Sequence, residues 1–500
     1  MFLLLSLILL ASTSSTGEIP LNGCSCFPTY NTSLNARNFT VVQVVNAVAN
    51  DSVEVEGWSR APNGRGTAEI LWQCIFTLAL CCWTSLCLNV QPRTWSRWRR
   101  IHQKIIMSSM SGLGPEFTLQ LALGQWSSAR RSVQDFRRSG YQDWTIRHAF
   151  FADMGGFILQ APDFVEFPLN AKQIHYLVTH NYLRYSSVRL ELKVIEDKNK
   201  QDEVARFLAV SQLLWFGINC FARVAQGLVL TTMELSILAF IFCTLATYFL
   251  WSAKPKDVKT PIILIPNVGL SKILTDAGES AQNPYRYTPL DFIGREHCSW
   301  YLYWTYWMNI ARSLHMAFPV KRCPIDMIPD DNFLALSDLG KIVLFLFQVT
   351  YAGIHLCAWN FHFPTAAERY IWRGATLYII SSMVSFWIVD TGVWRILPKI
   401  LGWLRSKQQA KRNNGVLEEH DHQIRPRANL TFAARLRNNS PGQDPYMDIP
   451  LKALIPITML GAGYCAARCY IVLESWLSLR DLPSSAYETV NWTDFLPHFQ

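Results

Sequence analysis

Three uncharged apolar runs constrain this chain more than any other feature: Ile70–Val90, Leu235–Ala253 and Ile342–Asn360. Crossing about 30 Å of hydrocarbon takes roughly 20 apolar residues, and each run is long enough. A segment at that depth has no water to satisfy its backbone, so it must be helical. Three further runs are shorter or interrupted once. Phe207–Ala222 continues uncharged past Arg223 to Met233, Gly374–Val389 continues past Asp390 to Trp394, and Ala453–Ala467 continues past Arg468 to Leu473. Ile105–Trp126 is a seventh apolar stretch, broken by Gly112, Gly114, Pro115 and Glu116. Composition agrees. Of 500 residues, 50% are apolar and 17% charged, against about 25% charged in soluble domains. That excludes a disordered chain, and the length excludes a small disulfide scaffold despite 13 Cys. The expected fold is an all-α integral membrane protein with about six to eight transmembrane helices and interfacial or re-entrant segments.

The chain opens on MFLLLSLILLASTSST, a short apolar run followed by small residues. Residues 1–16 read as a signal peptide or, since no Lys or Arg precedes the run, as an uncleaved anchor. Residues 17–67 carry sequons at Asn31, Asn38 and Asn50, which places them in the lumen; Cys24 and Cys26 could be oxidised there. Residues 68–398 form the polytopic domain with two long cytosolic segments. The basic stretch 399–448 has no hydrophobic period and reads as a flexible cytosolic loop. Residues 449–500 hold the last span and a lumenal tail with a fourth sequon at Asn491.

Positive charge orients the spans. Clusters follow the first span (Arg93 to Lys104), the broken stretch (Arg130 to Arg138), the Leu235–Ala253 run (Lys254 to Lys259) and the Gly374–Val389 run (Lys399 to Arg412). All four are cytosolic if Ile105–Trp126 does not cross, so that stretch is read as re-entrant or interfacial. Asn429 is then cytosolic and Asn491 lumenal. The net charge of +9 is accounted for by this orientation and forms no aromatic-interleaved patch for nucleic acid. The aromatic run WYLYWTYWMNI from Trp300 suits a membrane interface. The expected address is the endoplasmic reticulum or another secretory membrane.

Several chemistries lack their motifs. The sequence contains no Walker loop, no dinucleotide-binding glycine fingerprint and no zinc spacing. It has no nucleophile elbow. Asp330-Asp331-Asn332 lacks the third acid of a magnesium–diphosphate site. No cofactor is expected. Attention therefore falls on ionisable residues in apolar surroundings, which are costly and often functional. Glu116 in GLGPEFTLQLALGQW and Asp153 in HAFFADMGGF lie beside glycines. A desolvated acid there stays protonated near neutral pH, as a general acid requires; either could instead be a helix-start or interfacial charge. Glu234, Glu368 and Asp390 are reserve candidates, each with a structural alternative at a turn, a loop or a helix end. His355, with Asn360 nearby, could serve an acyltransferase or be a packed histidine.

GRGTAEILWQCIFTLALCCWTSLCLNV from Gly64, GLGPEFTLQLALGQWSSAR from Gly112 and HAFFADMGGFIL from His148 stand in a specific order. TTMELSILAFIFCTLATYFLW from Thr231, WNFHFPTAAERYIWR from Trp359 and ESWLSLRDLPSSAYETVNWTDFLPHF from Glu474 continue it. Together they resemble a large fungal family of multipass membrane proteins, and within it the membrane-bound terpene cyclases of meroterpenoid secondary metabolism, of the ascofuranone and macrophorin type. The resemblance implies protonation of an epoxide or alkene on a lipophilic prenylated substrate that enters from the bilayer, followed by carbocation cyclisation. Aromatic faces would stabilise the cations by about 0.5–2 kcal/mol per contact. It supplies no motif that assigns a catalytic residue. A membrane O-acyltransferase and a non-enzymatic transporter or receptor-like protein remain as alternatives.

Overall fold

A computed structural model describes residues 55–59, 64–190, 193–195, 203–258, 260–282, 285–294, 299–313, 323–391, 437–439, 449 and 451–495. The leader, Cys24, Cys26, the sequons at Asn31, Asn38, Asn50 and Asn429, and nearly all of the basic loop lie outside the described residues.

The chain is mostly helical. The principal helices are α1 (Thr67–Thr84), α2 (Arg97–Leu113), α3 (Pro115–Arg138), α4 (Ile146–Asp153), α5 (Ala171–Thr179) and α6 (Glu203–Ala225). They continue with α7 (Thr232–Leu250), α8 (Leu270–Ala277), α9 (Ser299–Ser313), α10 (Asp338–Leu356), α11 (Ala366–Thr391) and α12 (Leu451–Leu477). Among the described residues five segments are long and apolar enough to cross a membrane: Thr67–Thr84, Arg206–Ala225, Thr232–Leu250, Asp338–Asn360 and Leu451–Arg480. That corrects the expected six to eight. α11 has the length, but Glu368, Arg369 and Arg373 occupy its first turns and leave only the shorter run Gly374–Val389 uncharged. The broken stretch Ile105–Trp126 is not one helix either. Gly114 ends α2 in an extended conformation, and Pro115, at the first position of α3, disfavours helical backbone before it.

α7 is the central helix. Its apolar stretch is 72% buried, against 22–44% in the other four, and it packs on α1, α3, α6, α10 and α12. Its start is fixed by a capping box: the Thr231 hydroxyl accepts from the Glu234 N–H, and the Glu234 carboxylate accepts from the Thr231 N–H at 3.0 Å. Around it, α10 lies on α3 and α11, and α11 lies along α12.

The sequence suggested an all-α fold, but the described residues also hold short strands. β1 (Val55–Glu56) pairs antiparallel with β5 (Leu482–Pro483). β2 (Phe157–Leu159) pairs antiparallel with β3 (Phe167–Leu169) and parallel with β4 (Ile262–Leu264). These strands have two or three residues each and escape a helix-period reading. The first ladder ties the C-terminal tail to the start of α1, and Tyr487 reinforces it by donating to the Gly57 carbonyl at 2.8 Å.

Candidate active site

Two breaks in the helical backbone bring the site together. The Gly114–Pro115 junction turns the chain so that Glu116 and Phe117 open α3 inside the protein. A side chain at position 114 would have no room, because a Cβ there would meet the Phe117 ring at 2.5 Å. The W-x3-W-x2-W spacing of Trp300, Trp304 and Trp307 puts three indoles on one face of α9. These residues, with parts of α10, α11 and α12, line a half-open cavity of about 750 Å³. Trp300 is its hub. Its ring stacks on Phe117 with centroids 5.6 Å apart and meets the edges of Phe333 at 5.9 Å and Phe386 at 5.2 Å.

Glu116 is completely buried from bulk solvent yet lines this cavity. Tyr464 of α12 donates its hydroxyl to Glu116 Oε1, while Oε2 has no hydrogen-bond partner among the described residues. Burial is the largest influence on the carboxyl and raises it above its ordinary value; the Arg468 guanidinium and the Tyr464 hydroxyl pull the other way. Arg468, one turn after Tyr464, donates from Nε to the Leu113 carbonyl at 3.2 Å and sits over the Tyr351 ring, 5.0 Å from its centroid. Three of the cavity's indoles are already satisfied. Trp304 donates to Asp331 at 3.3 Å, Trp307 to Thr458 at 3.2 Å and Trp387 to Gln348 at 2.8 Å. The Trp300 Nε1 has no partner among the described residues. The arrangement can hold a large apolar molecule against one acid and several aromatic faces.

The other sequence candidates stand elsewhere. Asp153, at the end of α4, accepts the Ala171 N–H at 3.0 Å and so holds the start of α5. Glu234 is buried in an ion pair with Arg65. Glu368 pairs with Arg480 at 2.5 Å and accepts the Thr365 N–H at 3.2 Å. The side chain of Asp390 lies outside the described residues. His355 is buried, with Nδ1 3.1 Å from the Tyr351 carbonyl of its own helix, and does not line the cavity. Asn360 accepts from Arg373 at 3.4 Å. Exposed Asn491 accepts the Thr493 hydroxyl at 2.7 Å. Among the described residues no group of three or more His, Cys, Asp or Glu could hold a metal ion.

Sequence reasoning missed Tyr464 and the inward turn of α9. The indole spacing was a usable signal for one shared face. Nothing local marks Tyr464, whose role depends on a helix-to-helix contact across 348 positions.

The fold and site define a mostly helical protein with, among the described residues, five helices long and apolar enough to cross a membrane and an acid-bearing aromatic cavity. The chain belongs to the family of unknown function DUF8562, whose model matches residues 36–275, 334–400 and 430–499. No curated protein and no solved structure matches it. The matched residues include Glu116, Phe117, Tyr464 and Arg468, whereas the α9 tryptophans fall in the unmatched stretch between 275 and 334.

Proposed function

We propose that this protein is a membrane-bound terpene cyclase that folds a lipophilic prenylated intermediate of secondary metabolism inside the aromatic cavity. One observation carries the reading: Glu116 lines an apolar, tryptophan-rich space, with one buried carboxyl oxygen held by a tyrosine and the other without a hydrogen-bond partner among the described residues. In the proposed reaction Glu116 delivers its proton to an epoxide oxygen or an alkene carbon of the substrate. The cation then moves along the prenyl chain as each double bond attacks it. Loss of a proton from carbon ends the sequence, so product and substrate have equal mass. Trp300, Trp304 and Phe117 offer ring faces to the passing cation, and exclusion of water keeps it from being captured as an alcohol.

The apolar helices support residence in a membrane; the compartment proposed is the secretory pathway, with the substrate arriving from the bilayer. A glycan on Asn491 and none on Asn429 is the expected topology. An acyltransferase reading finds less support, since His355 is outside the cavity. The test is conversion of an epoxidised prenyl phenol by washed membranes containing the protein, with a chelator and without acyl-CoA. A product of unchanged mass is expected. Strict dependence on an acyl donor, with a product heavier by the acyl group, would overturn the reading.

A further inference from the structure

A second cavity of about 280 Å³ lies where α1, α2 and the chain after α7 meet. Two cations from α2, Arg100 and Lys104, border it together with one acid, Asp257. Arg100 Nε is shielded from solvent and has no hydrogen-bond partner among the described residues. Lys104 lies over the Trp83 ring, 4.3 Å from its centroid. A third cation adds to the field: Lys256 donates to the Thr84 carbonyl at the end of α1. Burial depresses the Lys256 ammonium most; Lys104 and Arg206 depress it further, and Cys87 and Asp257 oppose them. Two cations against one acid thus border a space that protein groups leave unfilled.

The surface leading to this cavity is apolar. Trp72, Phe76 and Trp83 are exposed on α1, spaced four and seven residues apart and so on one face. Ile101 and Ile105 are exposed on α2 beside Arg100 and Lys104. An anion alone would have no use for that stripe, and a neutral lipid would have no use for the cations.

We propose that this cavity binds the phosphate of an anionic phospholipid, with the head group between Arg100 and Lys104 and an acyl chain along Trp83, Phe76 and Trp72. The inference rests on the membrane residence proposed above and not on the chemistry of the larger cavity.

Native mass spectrometry of the full chain in a nonionic detergent tests it, with equimolar phosphatidylglycerol and phosphatidylcholine present. The wild type is expected to retain phosphatidylglycerol preferentially. A cation near an anionic lipid contributes about 1 kcal/mol, roughly fivefold in affinity. Arg100→Gln and Lys104→Gln should each reduce the preference by about that factor, and the distant Arg130→Gln should not. Asp257 has a positive φ of 55° that asparagine tolerates, so Asp257→Asn should fold and increase the preference. Equal retention of the two lipids by the wild type overturns the proposal, as does a preference indifferent to all three site variants. Inorganic phosphate is the second probe. If it binds with the same variant dependence while phosphatidylglycerol shows none, the cavity takes soluble phosphate and the lipid assignment fails.

Discussion

Tyr464 donates its hydroxyl to Glu116, joining the last long helix to the first residues of α3 across most of the chain. The contact commits one carboxyl oxygen and leaves the other buried without a hydrogen-bond partner among the described residues, on a residue that lines the cavity. Tyr464→Phe keeps the ring that meets Phe117 edge-on at 6.1 Å and removes only the donor. A hydrogen bond to a charged or ionising group is worth about 1.5–3 kcal/mol. Conversion should therefore fall on the order of 10- to 100-fold. The donor favours the ionised acid, so without it the carboxyl should hold its proton to higher pH. The high-pH limb of the pH–rate profile should shift upward; an unmoved limb would detach Tyr464 from the acid.

The α9 tryptophans stand in a stretch the family model does not match, against residues that it does. Trp300→Ala, Trp304→Ala and Trp307→Ala should alter which prenyl chain lengths are bound and which products form. Binding of a fluorescent prenyl analogue, measured for each variant over a chain-length series, checks this. A uniform loss across the series would show that α9 only fills space.

Glu234 is a structural acid in this account. Its partner Arg65 is 11% exposed and Glu234 itself 3%, and removing one member of a buried pair costs about 3–5 kcal/mol. Glu234→Gln should lower the thermal unfolding temperature markedly. Folded protein prepared at low temperature should still bind the prenyl analogue, because Glu234 is outside the cavity.

Asp330 gives a pH signature away from the cavity. It accepts the Asn89 N–H at 2.6 Å and the Gln103 amide at 2.7 Å, and burial, the dominant cause, pushes it up to about 6. The folded state therefore holds this proton more tightly than the unfolded chain, where the value is about 3.9. Its contribution favours folding below about pH 4 and is lost as pH rises through about 6. That difference of about two units is on the order of 3 kcal/mol. Unfolding temperature should decline from pH 4 to 7 in the wild type, and Asp330→Asn should flatten the slope.

The long apolar helices were legible because a run without charge leaves few alternatives to a buried or membrane-crossing helix. The break at Gly114–Pro115 was legible for the same local reason, and with it the placing of Glu116 in apolar surroundings. Asp153 looked equivalent in the sequence, yet it accepts the first N–H of α5, because a helix start consumes an acid as readily as a cavity does. Glu234 found Arg65, 169 positions away. Partnerships of that kind depend on how helices rotate against one another, which no local pattern encodes. The aromatic run of α9 suited an interface by composition. Only the packing of α3 and α12 against it shows that Trp300, Trp304 and Trp307 face inward.

The most direct test of the central claim is the rate of product formation by Glu116→Gln relative to wild type, in membranes supplied with an epoxidised prenyl phenol. The amide preserves the shape and can still accept from Tyr464, but it has no acidic proton. General acid catalysis contributes about 10²–10⁴-fold. A loss of at least that size is expected, with the variant accumulating normally and still binding the prenyl analogue. Conversion by Glu116→Gln at the wild-type rate, to the same product, would contradict the account.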